Sequence, residues 1–336
     1  MGRPKAIRVA AWGVVAAGVA APLVRRRLGS RTAAQALAYA APLALSVAVR
    51  RSRARDVGVC ALQMWAYVAA YEAPHDDPEH QLARTHFTYP IVADRVLGLG
   101  ELPTIRLQRS FGPHGAEEPR WRKVDAALVW AHWLWFLVPH SALAYILLRR
   151  PERFPRAALL TYAVFDVGAC FYWIVPTAPP WYVAMPPIAG GAISVGAAEG
   201  AEAGRIGGET DRRPASLEVR RMMVEYGEGF WQDGWGPMFD ALGGNPLAAM
   251  PSLHCATSVM AAILLSELGP VHGAVGWGYA AFLSFSLVYL GEHYVVDLIA
   301  GLALTGAVYR AGPQMAPLAE RARGAVRALE ARAHGG

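Results

Sequence analysis

The fold class this sequence predicts is all-α: a multi-pass transmembrane helical bundle with a six-helix core and an N-terminal helical hairpin. Three observations carry that prediction. Hydrophobic residues make up 54% of the 336 positions and charged residues 17%, with a mean hydropathy of +0.24, whereas a soluble domain shows interrupted apolar faces. Apolar runs approach the roughly 20 residues needed to cross about 30 Å of hydrocarbon, and they recur through nearly the whole chain. Arginines gather in the short connections between those runs, where membrane topology is decided. The net charge of +6 is therefore a topology signal, and no nucleic-acid partner is expected.

In order, the apolar runs cover residues 9–24, 33–49, 57–71, 124–148, 157–175, 252–268, 271–290 and 294–309. Residues 1–56 form an alanine-rich hairpin, 57–311 the main bundle and 312–336 a basic tail. The N-terminus is basic and then apolar, as in a signal peptide. Its long core runs into Arg25-Arg26-Arg27 with no small-x-small cleavage site, so it reads as an uncleaved anchor. The runs give eight candidate spans; several are short, and the second and third read either as spans or as tilted or interfacial helices.

Arg149, Arg150, Arg153 and Arg156 assign the connection after the fourth run to the cytoplasm by the positive-inside rule. Counting onward places residues 252 and 294 outside and the tail, with Arg310, Arg321, Arg323, Arg327 and Arg332, inside. Arg50, Arg51, Arg53 and Arg55 agree. Arg25 to Arg27 and Arg31 do not: either one of the first two runs does not span, or the hairpin departs from the rule.

Two long connections fall on the outer side. Residues 74–123 begin with Asp76, Asp77, Glu79 and His80, turn apolar through Ile91, Val92, Leu97 and Leu99, and end in Arg106-Leu107-Gln108-Arg109, which predicts short amphipathic helices on the membrane surface. In residues 177–249, the Gly/Ala/Glu-rich part 190–208 has too little apolar content to pack. Residues 216–235 place Val219, Met222, Met223, Tyr226 and Phe230 on one helical face, read as a lid or as a plain surface helix. Pro176 to Trp181 reads as a rigid turn capping the fifth run, or as a lining of a lipid entrance. The tail from residue 317 reads as an exposed basic helix attracted to anionic lipid heads. Cys60, Cys170 and Cys255 are far apart in apolar segments and read as small buried hydrophobes rather than metal or redox groups.

The stretch with chemistry runs from Met250 to Gly301. Pro251 suits the first turn of a helix, which makes His254 a first-turn residue. His293 then starts the next long run, with Asp297 four residues on and able to hold the imidazole's other nitrogen. The run that begins at His254 crosses the membrane and residues 271–290 carry the chain back across, which brings the two histidines to the same side. Both helix starts present unpaired N–H groups and a positive dipole end, which favour an oxyanion such as phosphate. Two histidines and an aspartate are expensive near hydrocarbon and functional by default there. The pattern points to phosphoryl transfer.

Pro251-Ser252-Leu253-His254, followed 39 residues later by His293-Tyr294-x-x-Asp297, resembles the type 2 phosphatidic acid phosphatase superfamily. Leu253, where the phosphatases carry glycine, is more similar to its inositolphosphorylceramide synthase branch. Pro176-Thr177-Ala178-Pro179-Pro180-Trp181, and Asp125 followed by His132 and Pro139, resemble that branch too. The resemblance implies an enzyme whose substrate is a membrane phospholipid or a polyprenyl- or sphingolipid-type lipid, working in the bilayer with no cofactor and no metal. It implies that His293 attacks phosphorus to form a phosphohistidine, Asp297 orients its ring, and His254 protonates the leaving oxygen. Ser252 and helix N–H groups would hold the non-bridging oxygens. His132 would bind head-group hydroxyls; His140 reads as bonded to nearby backbone, and Trp130, Trp133 and Trp135 as packing or belt residues. The product is either a transferred phosphorylated head group, such as phosphoinositol, or free phosphate. The extracytoplasmic face of the cell membrane is the expected location.

The chain departs from the phosphatase pattern in two places. It has no Lys-x6-Arg-Pro string upstream, and Leu287 stands where the phosphatases carry an arginine. Arg109, beside Gln108, is the first choice for the replacement cation and Arg106 the second, against a plain interfacial role for either. Two other readings stand beside this one. His254, His293 and Asp297, with Glu292 as a fourth candidate, match a two-histidine, one-carboxylate divalent-metal set, and a non-enzymatic lipid transporter could use the same polar cluster.

Overall fold

The computed structural model describes residues 3–25, 27, 30–113, 120–185, 217–236 and 244–335. Among them the chain is helical, with no strand beyond isolated bridges joining His86 to Thr177 and Thr177 to Ala248. The stretch 190–208 and Ser216 lie outside the described residues. Every predicted apolar run is helical. The first three are α1 (Arg3–Leu23), α2 (Arg31–Ala48) and α3 (Arg53–Glu72). The surface connection folds as α4 (Pro78–Arg84), α5 (Thr88–Leu97) and α6 (Pro103–Phe111). Then come α7 (Lys123–Trp133), α8 (Leu137–Arg149), α9 (Phe154–Ile174), the short α10 (Pro180–Ala184) and α11 (Met222–Trp231). The last three are α12 (Leu253–Ser266), α13 (Pro270–Tyr289) and α14 (Val295–His334).

Three expectations about the helices change. The fourth run is not one helix: α7 and α8 meet at 63°. Pro139 sits in the first turn of α8, where in a continuous helix its ring would strike the carbonyl of Trp135. Leu137 and Val138 instead donate to Leu134 and Trp135 in tight turns. The count of eight spans also falls. Among the described residues four helices have the length and hydropathy to cross a membrane: Pro4–Leu23 within α1, α9, α13 and α14. The bent pair α7–α8 makes a fifth, and α12 is apolar but shorter. Arg31, Thr32 and Gln35 dilute α2, and Arg53, Arg55, Asp56 and Glu72 dilute α3. Finally, the lid helix is shorter than residues 216–235, ending at Trp231 before a 3-10 turn over Gln232–Gly234.

The chain divides into two compact units. The first comprises Met1–Asp76, Ala144–Ala169 and Gly306–Gly336. Small side chains set its packing: Ala34, Ala38 and Ala41 of α2 are fully buried, which lets helix backbones approach closely. Arg25, one of the arginines at odds with the topology count, is engaged by Asp76 at 2.7 Å and Glu72 at 3.3 Å. The tail is not simply exposed. Glu330 pairs with Arg55 at 2.7 Å, and Ala333 is buried in a cluster with Ala11, Val47 and Ala48.

The second unit comprises Asp77–Leu143 and Cys170–Thr305 and holds every candidate site residue. Within it α12 and α13 pack through Cys255, Val259, Ala262, Ala280, Leu283 and Leu287. The outward face of α13 carries Val271, Val275, Phe282 and Phe285, an apolar surface suited to lipid rather than water. Cys170 is exposed and not buried as expected, beside the similarly exposed Phe171 and Ile174. The segment 176–178 is a brace. Pro176 accepts from His86 at 2.9 Å, Thr177 donates to Leu247 at 2.9 Å, and Ala249 donates to Thr177 at 3.1 Å. It fixes the approach to Met250.

Candidate active site

Ser252 is the N-cap of α12, its hydroxyl accepting from the Cys255 N–H at 3.3 Å. Pro251 therefore lies just before the cap and not in the first turn, while His254 is the second residue of the helix. His293 is not helical either. It sits in a turn shaped by Gly291, whose φ of +83° suits glycine, with the Glu292 and His293 N–H groups both donating to Leu287. Asp297 is in the first turn of α14, where Oδ2 accepts from the Tyr294 N–H at 2.9 Å.

These local arrangements converge because α14 passes close to the start of α12. A side chain at Gly301 would lie 2.6 Å from the Ser252 carbonyl, the Ser252 N–H donates to the Asp297 carbonyl at 3.0 Å, and Thr305 Oγ1 donates to the Ala256 carbonyl at 2.8 Å. The result is a linear polar chain: His254 Nδ1 is 3.1 Å from His293 Nε2, and His293 Nδ1 is 3.3 Å from Asp297 Oδ2. Asp297 is fully buried and His293 almost so, whereas His254 is half-buried. A buried carboxylate can only accept from imidazole, so it takes the Nδ1 proton of His293. That leaves Nε2 with a lone pair directed at His254, the tautomer that makes an imidazole a nucleophile.

His132 of α7 joins this cluster, its ring stacked on His254 at 4.9 Å between centroids. Its Nδ1 is buried with no hydrogen-bond partner, whereas buried polar atoms are normally paired. His140 instead contacts the Phe136 carbonyl at 2.7 Å. Trp130 and Trp133 pack with Phe230 and Trp231 of α11, as packing residues should.

Gln108, Arg109 and Arg106 are placed otherwise than expected. Arg109 is 66% exposed and pairs with Glu101 at 2.7 Å, and Arg106 pairs with the same carboxylate at 3.4 Å. Gln108 spends its amide on backbone, donating to the Arg220 and Tyr289 carbonyls and accepting from the Arg220 N–H, all at 2.9 Å. It clamps the segment before α11 to the turn that carries His293. The start of α14 is also not an open anion site: Asp94 of α5 accepts from the Val295 and Val296 N–H groups, both at 2.8 Å.

Asp94 was missed by sequence reasoning. It is fully buried, and burial pushes its carboxyl up to about 6. It lies some 200 positions from its partners, so no local spacing reveals the cap. The available signal was an acid three residues after Ile91 on the buried face of an amphipathic helix. Trp135 was also missed as a site residue: its ring lies 4.1 Å from His254 and its Nε1 donates to Thr257 at 3.0 Å. Arg221 was missed as well, its Nε 3.4 Å from Glu292.

The metal reading fits poorly. His293 uses one nitrogen toward Asp297 and the other toward His254, so the donors form a line rather than surround a point. Among the described residues no group of three His, Cys, Asp or Glu side chains is arranged to hold an ion.

A sequence profile of the PAP2 superfamily matches residues 118–311. The chain belongs to the PAP2 superfamily. The chain is also similar to the inositol phosphorylceramide synthase catalytic subunit aur1 of Schizosaccharomyces pombe, 28% identical over 137 residues. The match covers 41% of this chain and 27% of that protein. No solved structure matches the chain.

Proposed function

We propose that this PAP2 protein is a lipid phosphotransferase that moves a phosphorylated head group of the phosphoinositol type between lipids through a phosphohistidine on His293. The observation that carries the reading is the line His254, His293, Asp297, with its contacts of 3.1 and 3.3 Å. The partial likeness to an inositol phosphorylceramide synthase supports transfer over hydrolysis.

In the first step the Nε2 lone pair of His293 attacks phosphorus. The bond to the leaving lipid oxygen breaks, and the proton of His254 passes to that oxygen. Asp297 holds the Nδ1 proton and offsets the charge gained by the ring. In the second step a lipid hydroxyl gives its proton to His254 as its oxygen attacks phosphorus, and the N–P bond breaks. Phosphate must part the two rings, since a 3.1 Å contact leaves no room for a tetrahedral group. His132, with its unpaired Nδ1, receives a head-group hydroxyl, and Ser252 fixes the start of α12. The positive-inside reading of the arginines in the connections supports a site on the extracytoplasmic face of the cell membrane.

Incubation with phosphatidylinositol labelled in its head group, together with candidate lipid acceptors, tests the reading. A new labelled lipid is expected. Label released only as water-soluble inositol phosphate would remove transfer and leave a lipid phosphoester hydrolase acting by the same residues; free phosphate released only from a lipid phosphomonoester would leave a lipid phosphatase.

A further inference from the structure

The charge around His293 is on balance unfavourable for a phosphate. Asp94, Asp297 and Glu292 are all close, the N–H groups at the start of α14 are taken by carboxylates, and Leu287, at the position of the missing arginine, is fully buried in an apolar cluster. A cation must come from another element. Building on the phosphotransferase reading, we propose that Arg221 is the residue that receives the phosphate, with Glu292 as the counter-ion it holds while the site is empty.

The geometry is that of a prepared group. Gln108 binds both the N–H and the carbonyl of Arg220 and also the Tyr289 carbonyl, which pins Arg221 to the turn containing His293. Its guanidinium lies 3.4 Å over the Trp181 ring, a face-on contact that orients the planar fork. Trp181 is tied to the same turn, its N–H donating to the Gly291 carbonyl at 3.1 Å. Arg221 Nε stands 3.4 Å from Glu292 Oε1, a loose contact between side chains 23% and 10% exposed. Glu292 directly precedes His293, so the ion pair with Arg221 sits at the turn that carries the imidazole in line with His254 and Asp297. A phosphodiester spreads its negative charge over two non-bridging oxygens that match the guanidinium fork, and further charge gathers on them as His293 attacks, so it competes with a carboxylate held by one loose contact.

The test uses the whole chain purified in detergent, with inorganic orthovanadate as the oxyanion probe. Vanadate affinity is read from thermal stabilisation, and KM and kcat from turnover of a labelled lipid phosphoester. Arg221→Gln is expected to weaken vanadate binding and raise KM, each by at least about tenfold, with a smaller change in kcat. Arg221→Lys should recover part of the loss. Glu292→Gln should strengthen vanadate binding, because it removes a carboxylate that competes with the oxyanion for the guanidinium. An ion pair that only braces the fold would shift both single variants in the same direction. Overturning results are vanadate affinity within twofold of wild type in Arg221→Gln, or weakening by Glu292→Gln equal to that by Arg221→Gln. If Arg221→Gln does not fold, the sign of the Glu292→Gln effect still decides. Vanadate binding that depends on Arg221 without lipid turnover would keep this assignment and discard the phosphotransferase reading. Turnover with binding indifferent to Arg221 would do the reverse.

Discussion

In the unit that holds His254, His293 and Asp297, polar side chains are tied to single partners and to backbone. Asp94 closes the start of α14, Gln108 clamps two segments, and Thr305 and Ser252 fix α14 to α12. In the unit formed by Met1–Asp76, Ala144–Ala169 and Gly306–Gly336, the buried surface is mostly alanine, valine and leucine, with ion pairs at its margins. The first kind of region is specified by residue identity at each position. The second tolerates exchange of one small apolar residue for another. Substitutions should therefore separate the two sharply.

The largest effects belong to the histidines. His293→Ala and His254→Ala should each lower turnover by about 10³-fold, since general acid–base and nucleophilic roles have no substitute in the cluster. Extraction from membranes should stay near wild type. Retention of full activity by both variants would falsify the assigned roles and erase the contrast between the units.

Next comes Asp94. Burial raises its carboxyl from the ordinary value near 4 to about 6, so the folded chain holds this proton more readily than the unfolded chain does. Its contribution to stability is present below about pH 4 and is lost as pH rises through about 6. Activity runs the other way, because the ionised group is the stronger acceptor for the Val295 and Val296 N–H groups. Turnover should climb and thermal stability decline through about pH 6. Asp94→Asn should lower kcat about tenfold with KM little changed, and should reduce both pH trends. An unaltered rate profile in that variant would make the cap a packing feature only.

A smaller effect is expected at Gly301, where a side chain would enter the space held by the Ser252 carbonyl. Gly301→Val should destabilise by about 1 to 3 kcal/mol and lower turnover, as followed by thermal melting and assay. The smallest effect on turnover belongs to the first unit. Glu330→Ala removes the carboxylate from Arg55, whose side chain is only 9% exposed, and should destabilise by about 1 to 3 kcal/mol with turnover within twofold. A loss as large as that of Asp94→Asn would blur the comparison.

What could be read from the sequence follows the same division. The helices were legible because spanning runs leave a compositional signature, and His254, His293 and Asp297 because they fall in two short local patterns, Pro251-Ser252-Leu253-His254 and His293-Tyr294-x-x-Asp297. The break at Pro139 was legible in principle, since proline cannot continue a helix, but the apolar run masked it. Asp94, Gln108 and Arg221 gain their roles from partners 70 to 200 positions away, and no periodicity encodes such a contact. Arg109 was chosen for its charge and side of the membrane, yet its neighbour Glu101 holds it at the surface. The docking of Ala333 against Ala11 was hidden because a small residue among arginines gives no apolar stripe.

The central claim is that phosphorus passes through His293. The direct measurement is to mix the chain with a lipid phosphoester labelled at phosphorus, quench within one turnover in alkali, and locate the label by mass spectrometry. The account predicts an acid-labile, alkali-stable adduct on His293 that vanishes in His293→Ala. Turnover proceeding with label on another residue, or with none on the protein at any time, would contradict it.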